Sequence, residues 1–337
     1  MKESMLYEKR DENKVRCHLC SHHCSIHPGK RGICGVRENR DGTLYTLVYG
    51  RIVAEHIDPI EKKPLFNFLP GSKAYSISTV GCNFRCKHCQ NSDISQYPHA
   101  HGGRIIGEDR TPAQIVRSAK SAGCASIAYT YTEPTIFFEF AHDTSIIAHQ
   151  EGIQNVFVSN GYMSAEAARK IAPHLDAINV DVKAFTNKFY KEVCGARLEP
   201  VLDTIRLMRE LGVWVEITTL IIPGWNDGEE ELREIARFIK SVGREVPWHV
   251  TAFYPSYKMM DHPPTSVATL RLARDIGISE GLRYVYEGNV RNSGGENTHC
   301  HGCGAAVVER SGLWLVRNRL KDGKCPECGE KIDGVGM

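Results

Sequence analysis

Apolar and polar positions follow two rhythms along this chain. Between about residues 74 and 287, short apolar runs recur: "AYSISTV" (74–80), "SIAYTY" (126–131), "NVFVS" (155–159), "AINVDV" (177–182), "VWVEITTLI" (213–221), "WHVTAFY" (248–254) and "LRYVYE" (282–287). Their β-branched and aromatic content, bounded by turn residues, predicts strands. Amphipathic stretches separate them. In "TPAQIVRSAKSAG", Thr111 is placed to cap a helix, Pro112 to open its first turn and Gly123 to end it. "DGEEELREIARFIKSVG" (227–243) carries acid in its first turn, where the helix dipole favours it, and Gly243 just past its end. Strands alternating with helices predict βα units around a parallel sheet, an α/β fold.

Polar residues cluster where the apolar runs stop. "GCNFRCKHC" (81–89) follows the first predicted strand, "TEPT" (132–135) the second and "SNG" (159–161) the third. "DVK" (181–183) closes the fourth, and "PGWND" (223–227), "YPSYK" (254–258) and "EGN" (287–289) follow the last three. In a parallel barrel these ends converge on one face, where barrel active sites are built. One active site is expected there. The core is set at residues 71–290, between an N-terminal cysteine-rich and β-containing segment (1–70) and a C-terminal module (291–337). The β-rich stretch is "TLYTLVYGRIVAEH" (43–56), and a Pro-containing bridge, "DPIEKKPLFNFLPG" (58–71), joins it to the core.

Composition narrows the function class. The 337 residues carry 42 Lys and Arg against 40 Asp and Glu, a net charge of +2 that argues against a nucleic-acid or acidic-membrane partner. The charged start, "MKESMLYEKRDENK", lacks the apolar core of a signal peptide, and no run of about 18 apolar residues occurs. A soluble, cytoplasmic protein is expected. Thirteen cysteines are many for a compartment that keeps thiols reduced. Eleven fall into three tight groups: Cys17, Cys20, Cys24 and Cys34; Cys82, Cys86 and Cys89; and Cys300, Cys303, Cys325 and Cys328. Such clustering points to metal ligation. Cys124 and Cys194 stand apart and read as small buried hydrophobes.

The central group has three cysteines on one short loop and no fourth beside them. Three thiolates at this spacing suit three corners of a [4Fe–4S] cube, leaving one iron open to a substrate or cofactor. The alternative is a zinc knuckle completed by His88, although zinc favours paired C-x2-C units. C-x3-C-x2-C after the first strand resembles the hallmark of the radical S-adenosylmethionine (SAM) superfamily. The resemblance implies a partial parallel (β/α) barrel, a [4Fe–4S] cluster on Cys82, Cys86 and Cys89, and SAM chelated to the open iron. One-electron reduction of SAM then yields a 5′-deoxyadenosyl radical that abstracts hydrogen from a substrate, chemistry that belongs to the cofactor.

The same resemblance assigns further residues. Glu133 would accept from the SAM ammonium, although Tyr131 and Thr132 stand where the family motif has two glycines. Ser159 and Asn160, with Gly161, and Asp181 and Lys183 resemble elements that bind the ribose and carboxylate of SAM in glycyl-radical activating enzymes. Asp181 and Lys183, two residues apart, share a sheet face, and a structural salt pair is the plainer alternative. Tyr254 stands where several activases have histidine. More narrowly, residues 58–91, "YTYTEPTIFFE", "VFVSNGY", "INVDVKAF", "EITTLIIPGWND" and "RLKDGKCPECG" resemble the radical SAM member of the AmmeMemoRadiSam trio, a relative of pyruvate formate-lyase activating enzyme. The sequence departs from that group at Asn67, where histidine is expected, and around Ala252 and Tyr254, departures taken to bear on SAM or substrate contact. The implied partners are Memo-type and AMMECR-type proteins and a low-potential electron donor such as flavodoxin or ferredoxin.

The flanking groups invite metals of their own. Cys300, Cys303, Cys325 and Cys328 form C-x2-C-x21-C-x2-C, each pair followed by Gly, a pattern suited to a zinc-ribbon-like module holding Zn2+. About 40 residues have little core, so a structural metal is expected there. Cys17, Cys20, Cys24 and Cys34, with His18, His22, His23 and His27 interleaved, suit zinc, histidine-assisted zinc or an auxiliary iron–sulfur cluster. His99 and His101 read as loop residues. Three functions compete: a radical SAM enzyme of the trio, a glycyl-radical-enzyme activase, and a zinc-ribbon nucleic-acid module that the charge balance disfavours.

Overall fold

Strands flanked by helices on one side and by a barrel interior on the other have no polar face, and the parallel strands of the central sheet are buried along nearly their whole length. The structure is a computed structural model that describes residues 1–290 and 294–337. The boundary expected at 290/291 meets residues 291–293, which lie outside the described residues.

The sheet has eight strands whose spatial order is their order in sequence. They are β1 (Ala54–Pro59), β2 (Lys73–Ser78), β3 (Ser126–Tyr129), β4 (Gln154–Ser159), β5 (Ala177–Asp181), β6 (Trp214–Ile221), β7 (Trp248–Ala252) and β8 (Val285–Gly288). β2 to β8 run parallel. Helices α1 (Pro112–Ser121), α2 (Phe138–Gln150), α3 (Ala165–Ile171), α4 (Glu199–Glu210), α5 (Glu229–Val242) and α6 (Val267–Ser279) fill the six connections after β2. This is an α/β fold with a mostly parallel sheet. β1 pairs antiparallel to β2, so the sheet begins at Ala54, within the N-terminal segment and ahead of the bridge.

Local signals explain the helices. Thr111 caps α1 through a reciprocal box with Gln114, and Pro112 fills the first turn. α5 opens on Glu229, Glu230 and Glu231 and buries Leu232, Ile235, Ala236 and Ile239, one stripe at helical spacing. No described helix is long and apolar enough to cross a membrane.

The N-terminal ends of the parallel strands are plugged. Leu65 and Phe68, from the segment joining β1 to β2, pack with Ala74, Ala128, Val156 and Ala177. The backbone N–H groups of Phe66 and Asn67 donate to the Glu216 carboxylate, which also pairs with His249 at 2.7 Å. The C-terminal strands Thr298–His299, Ala306–Ser311 and Trp314–Asn318 dock beneath this plug. Buried Arg310 donates to the Phe66 carbonyl at 2.7 Å and pairs with Glu61, while the Asn67 amide donates to the Asp333 carbonyl. Asn67 thus lies at the closed end of the barrel. There its side chain joins the barrel to the C-terminal module.

Candidate active site

At the opposite mouth, the 82–89 loop leaves β2 and is pinned from below by its own neighbours. The N–H groups of Arg85 and Lys87 donate to the carbonyls of Cys194 and Val193. Cys82 Sγ accepts from the Phe84 N–H at 3.4 Å and lies 3.9 Å from Asn160 Nδ2; Cys89 Sγ lies 3.3 Å from Ser95 Oγ. From above, the strand-end loop of β7 closes on it: Lys258 N–H donates to the Lys87 carbonyl and Ser256 Oγ to that of His88.

Glu133, Ser159 and Asn160 meet beside this loop. Glu133 is fully buried. Its Oε1 accepts from Thr135 N–H (3.0 Å), Thr135 Oγ1 (2.5 Å) and Ser159 Oγ (2.8 Å), and its Oε2 from Asn160 N–H (2.8 Å). Burial pushes its carboxyl pKa up, against these donors, which favour the charged form. The Asn160 amide reaches Asn83 Oδ1 at 2.8 Å and so ties the β4 end to the cysteine loop. Tyr131, in the place of a family glycine, takes a left-handed φ of +64°, which costs a side chain roughly 1–2 kcal/mol. Its hydroxyl donates to Asp58 and its ring faces Lys63 Nζ at 4.6 Å, contacts that hold the turn.

Asp181 and Lys183 form an ion pair at 2.9 Å. Burial works against the Lys183 ammonium, but Asp181, Cys86 and Cys194 outweigh it and hold its pKa well above the usual value. Cys194, read from sequence as a small buried hydrophobe, is buried and also interacts with Cys86. Its thiol lowers the Cys86 pKa, while burial raises its own. No spacing rule could find it, because the turn at Tyr190–Cys194 is brought to the loop by tertiary packing alone. Asn83 was equally unmarked. His88 is buried and neutral, its pKa driven down to about 3 by burial and by Lys183. Tyr254 is half-exposed and donates to the Asn289 carbonyl at 3.0 Å.

Burial pushes the Cys82 thiol well above its ordinary pKa, with the charge of Glu133 adding to it. Buried Asn83 Nδ2 and His88 Nδ1 have no hydrogen-bond partner in the structure. Buried donors and acceptors are nearly always satisfied, so orphans beside a thiolate loop fit a group bound there. The three thiols and His88 do not gather at single-ion spacing. Among the described residues, a set of three or more Cys, His, Asp or Glu whose ligand atoms all lie within 4.8 Å of one another is formed by Cys300, Cys303, Cys325 and Cys328. There Cys300 and Cys328 Sγ are 3.6 Å apart, and Cys303 and Cys325 Sγ 3.7 Å.

Residues 76–239, which contain this loop and every strand end that meets it up to β6, match the radical SAM superfamily. The chain carries a radical SAM domain. That family implies a [4Fe–4S] cluster and SAM. The whole chain is 48% identical to an uncharacterized protein of Methanocaldococcus jannaschii, over 99% of this chain and 100% of that one. It is 22% identical to the pyruvate formate-lyase 1-activating enzyme of Escherichia coli K12, over 48% of this chain and 67% of the relative. Among solved structures, Streptococcus suis SuiB bound to the precursor peptide SuiA is similar with a TM-score of 0.51 at 16% identity, covering 68% of this chain and 51% of that one. A radical SAM methyltransferase of Sphaerobacter thermophilus is similar at the same score and identity, covering 66% and 68%. These likenesses bear on the fold of the radical SAM domain.

Proposed function

We propose that the protein is a radical SAM enzyme whose cofactors sit at the open mouth of the barrel, on Cys82, Cys86 and Cys89. A [4Fe–4S] cluster with SAM on its open iron would supply a 5′-deoxyadenosyl radical that abstracts hydrogen from a substrate. The chain's own residues bind, orient and shield. Glu133 and the β4 end carry the surface that meets the SAM ammonium and ribose. Lys183, kept cationic by its neighbours, offers charge to a carboxylate, and Asp181 offers an acceptor to ribose hydroxyls. The 254–258 loop, hydrogen-bonded over the cysteine loop, excludes water. What supports this reading above all is one arrangement: three thiols on the loop after the first parallel strand, beside orphaned Asn83 Nδ2 and His88 Nδ1.

We place the enzyme in the AmmeMemoRadiSam system, on the motifs that run almost the length of the chain, with Memo-type and AMMECR-type proteins as partners. A glycyl-radical activase is the second reading, favoured by the activating-enzyme relatives at low identity. Anaerobic reduction with dithionite in the presence of SAM tests the chemistry: wild type should release 5′-deoxyadenosine and Cys86→Ala should release none. Release by that variant refutes the site assignment. Mass spectrometry of each trio partner after turnover, against a glycyl-radical signal in an added glycyl-radical protein, separates the two readings.

A further inference from the structure

The two flanking cysteine groups differ in size and in place. A tetrahedral thiolate site with Zn–S near 2.3 Å has sulfur–sulfur edges of about 3.8 Å. The C-terminal group has contracted to that size, with sulfur pairs at 3.6 and 3.7 Å, and it stands under the closed end of the barrel. Cys17, Cys20, Cys24 and Cys34 have not. They line a common pocket that is partly open to solvent and walled by apolar Leu19, Ile26 and Ile136. Four thiols around an open cavity suit a polynuclear centre, whose corners stand further apart than the ligands of a single ion.

A second observation points to an anion in that space. Arg37 lines the same cavity and is 1% exposed. Its Nη2 donates to Glu139 at 2.5 Å, but its Nε and Nη1 have no partner. Buried guanidinium donors without partners call for acceptors, and the sulfides and thiolates of an iron–sulfur cluster accept such bonds.

The third observation is position. His22 also lines the cavity, and its Nε2 is 2.8 Å from the carbonyl oxygen of Asn83, the residue after Cys82. Ser21 N–H donates to the Tyr162 carbonyl, and the His22 ring packs on that of Tyr162, which meets Phe84 edge-on. The route from Cys20 to Cys82 is therefore two residues, one hydrogen bond and one residue. On the outer side, Gly32 and Ile33 separate the cavity from a surface groove that also includes Arg85 and His99.

We propose that Cys17, Cys20, Cys24 and Cys34 hold a second [4Fe–4S] cluster, and that it relays electrons to the centre on Cys82, Cys86 and Cys89. A low-potential one-electron reductant takes the outer cluster from the 2+ to the 1+ state. The outer cluster returns to 2+ as it passes that electron inward, so each turnover draws one electron and stores none. The relay rests on the proposed function; the cluster itself does not.

Anaerobically reconstituted full-length protein provides the test. Wild type should contain about eight irons and eight sulfides per chain. The triple variant Cys82→Ala, Cys86→Ala, Cys89→Ala and the double variant Cys24→Ala, Cys34→Ala should each retain about four, whereas Cys325→Ala should leave the iron count unchanged. Zinc without iron in the triple variant, or a double variant with the full wild-type iron content, overturns the second cluster. In electron paramagnetic resonance after reduction, wild type should show a broadened signal from two interacting clusters. A wild-type spectrum equal to the sum of the two variants overturns the relay. Wild type that holds both clusters yet leaves SAM intact overturns the proposed function alone.

Discussion

Replacing Glu133 by glutamine keeps the shape of the side chain and turns one carboxylate oxygen into an NH2 group. The wild-type carboxylate accepts from four donors, three on Oε1 and one on Oε2. The glutamine carbonyl will keep the three-donor side, which directs its NH2 at the Asn160 N–H. One buried backbone donor then loses its partner, at about 1–3 kcal/mol. The three surviving bonds lose charge assistance, about 1 kcal/mol each at most. Release from burying a charge, the effect that pushes the Glu133 pKa up, offsets part of this. A net loss of about 2–3 kcal/mol follows, read by urea unfolding of wild type and Glu133→Gln side by side. Because Asn160 also joins the cysteine loop through Asn83, anaerobic SAM binding should weaken at least about tenfold, equivalent to 1.4 kcal/mol. A Glu133→Gln protein within about 0.5 kcal/mol of wild type refutes the four-donor cage, whatever SAM does.

Three other outcomes follow from separate parts of the molecule. Lys63 is buried against Asp58 at 2.6 Å, and burial, opposed by Asp58, brings its pKa down to about 8, below the value near 10.4 of an unfolded chain. The unfolded state therefore binds more protons between these values. Stability should rise by about 2–3 kcal/mol from pH 8 to 10 and be lost as pH falls through 8, and Lys63→Met should flatten the slope of urea midpoint against pH. Arg310→Met leaves Glu61 buried without its partner and should cost about 3–5 kcal/mol, with easier proteolysis near residue 300 and unchanged 5′-deoxyadenosine release. Cys325→Ser should abolish metal binding at the C-terminal four-cysteine group, read by elemental analysis, and lower thermal stability, leaving iron content intact.

The repeating core was legible because each parallel strand is an apolar run and each helix announces its ends, as Thr111, Pro112 and Gly243 do. The seven parallel strands stand where the apolar runs predict them. β1 was legible only in part: Ala54–His56 close the predicted β-rich stretch, but "AEHIDP" has no apolar alternation to join it to the sheet, since it is an edge strand with His56 exposed and Asp58 turned onto lysines. The polar clusters at strand ends announced one face. That Ser159 and Asn160 would each donate to Glu133 did not follow from their spacing, because the register of β3 against β4 sets it. What the departure at Asn67 touches was not legible either: its side chain accepts from Tyr286 and donates to the Asp333 carbonyl, contacts that tertiary packing alone creates.

The plug beneath the barrel has a consequence for the order in which the chain matures. The Phe66 carbonyl finds its partner on Arg310, 244 residues later, and the Asn67 amide finds Asp333, 266 residues later. While the ribosome is still making the barrel, these early groups must wait in water, and closing so wide a loop is slow. The floor of the barrel is thus sealed only after all its strands have been made, by residues that follow β8.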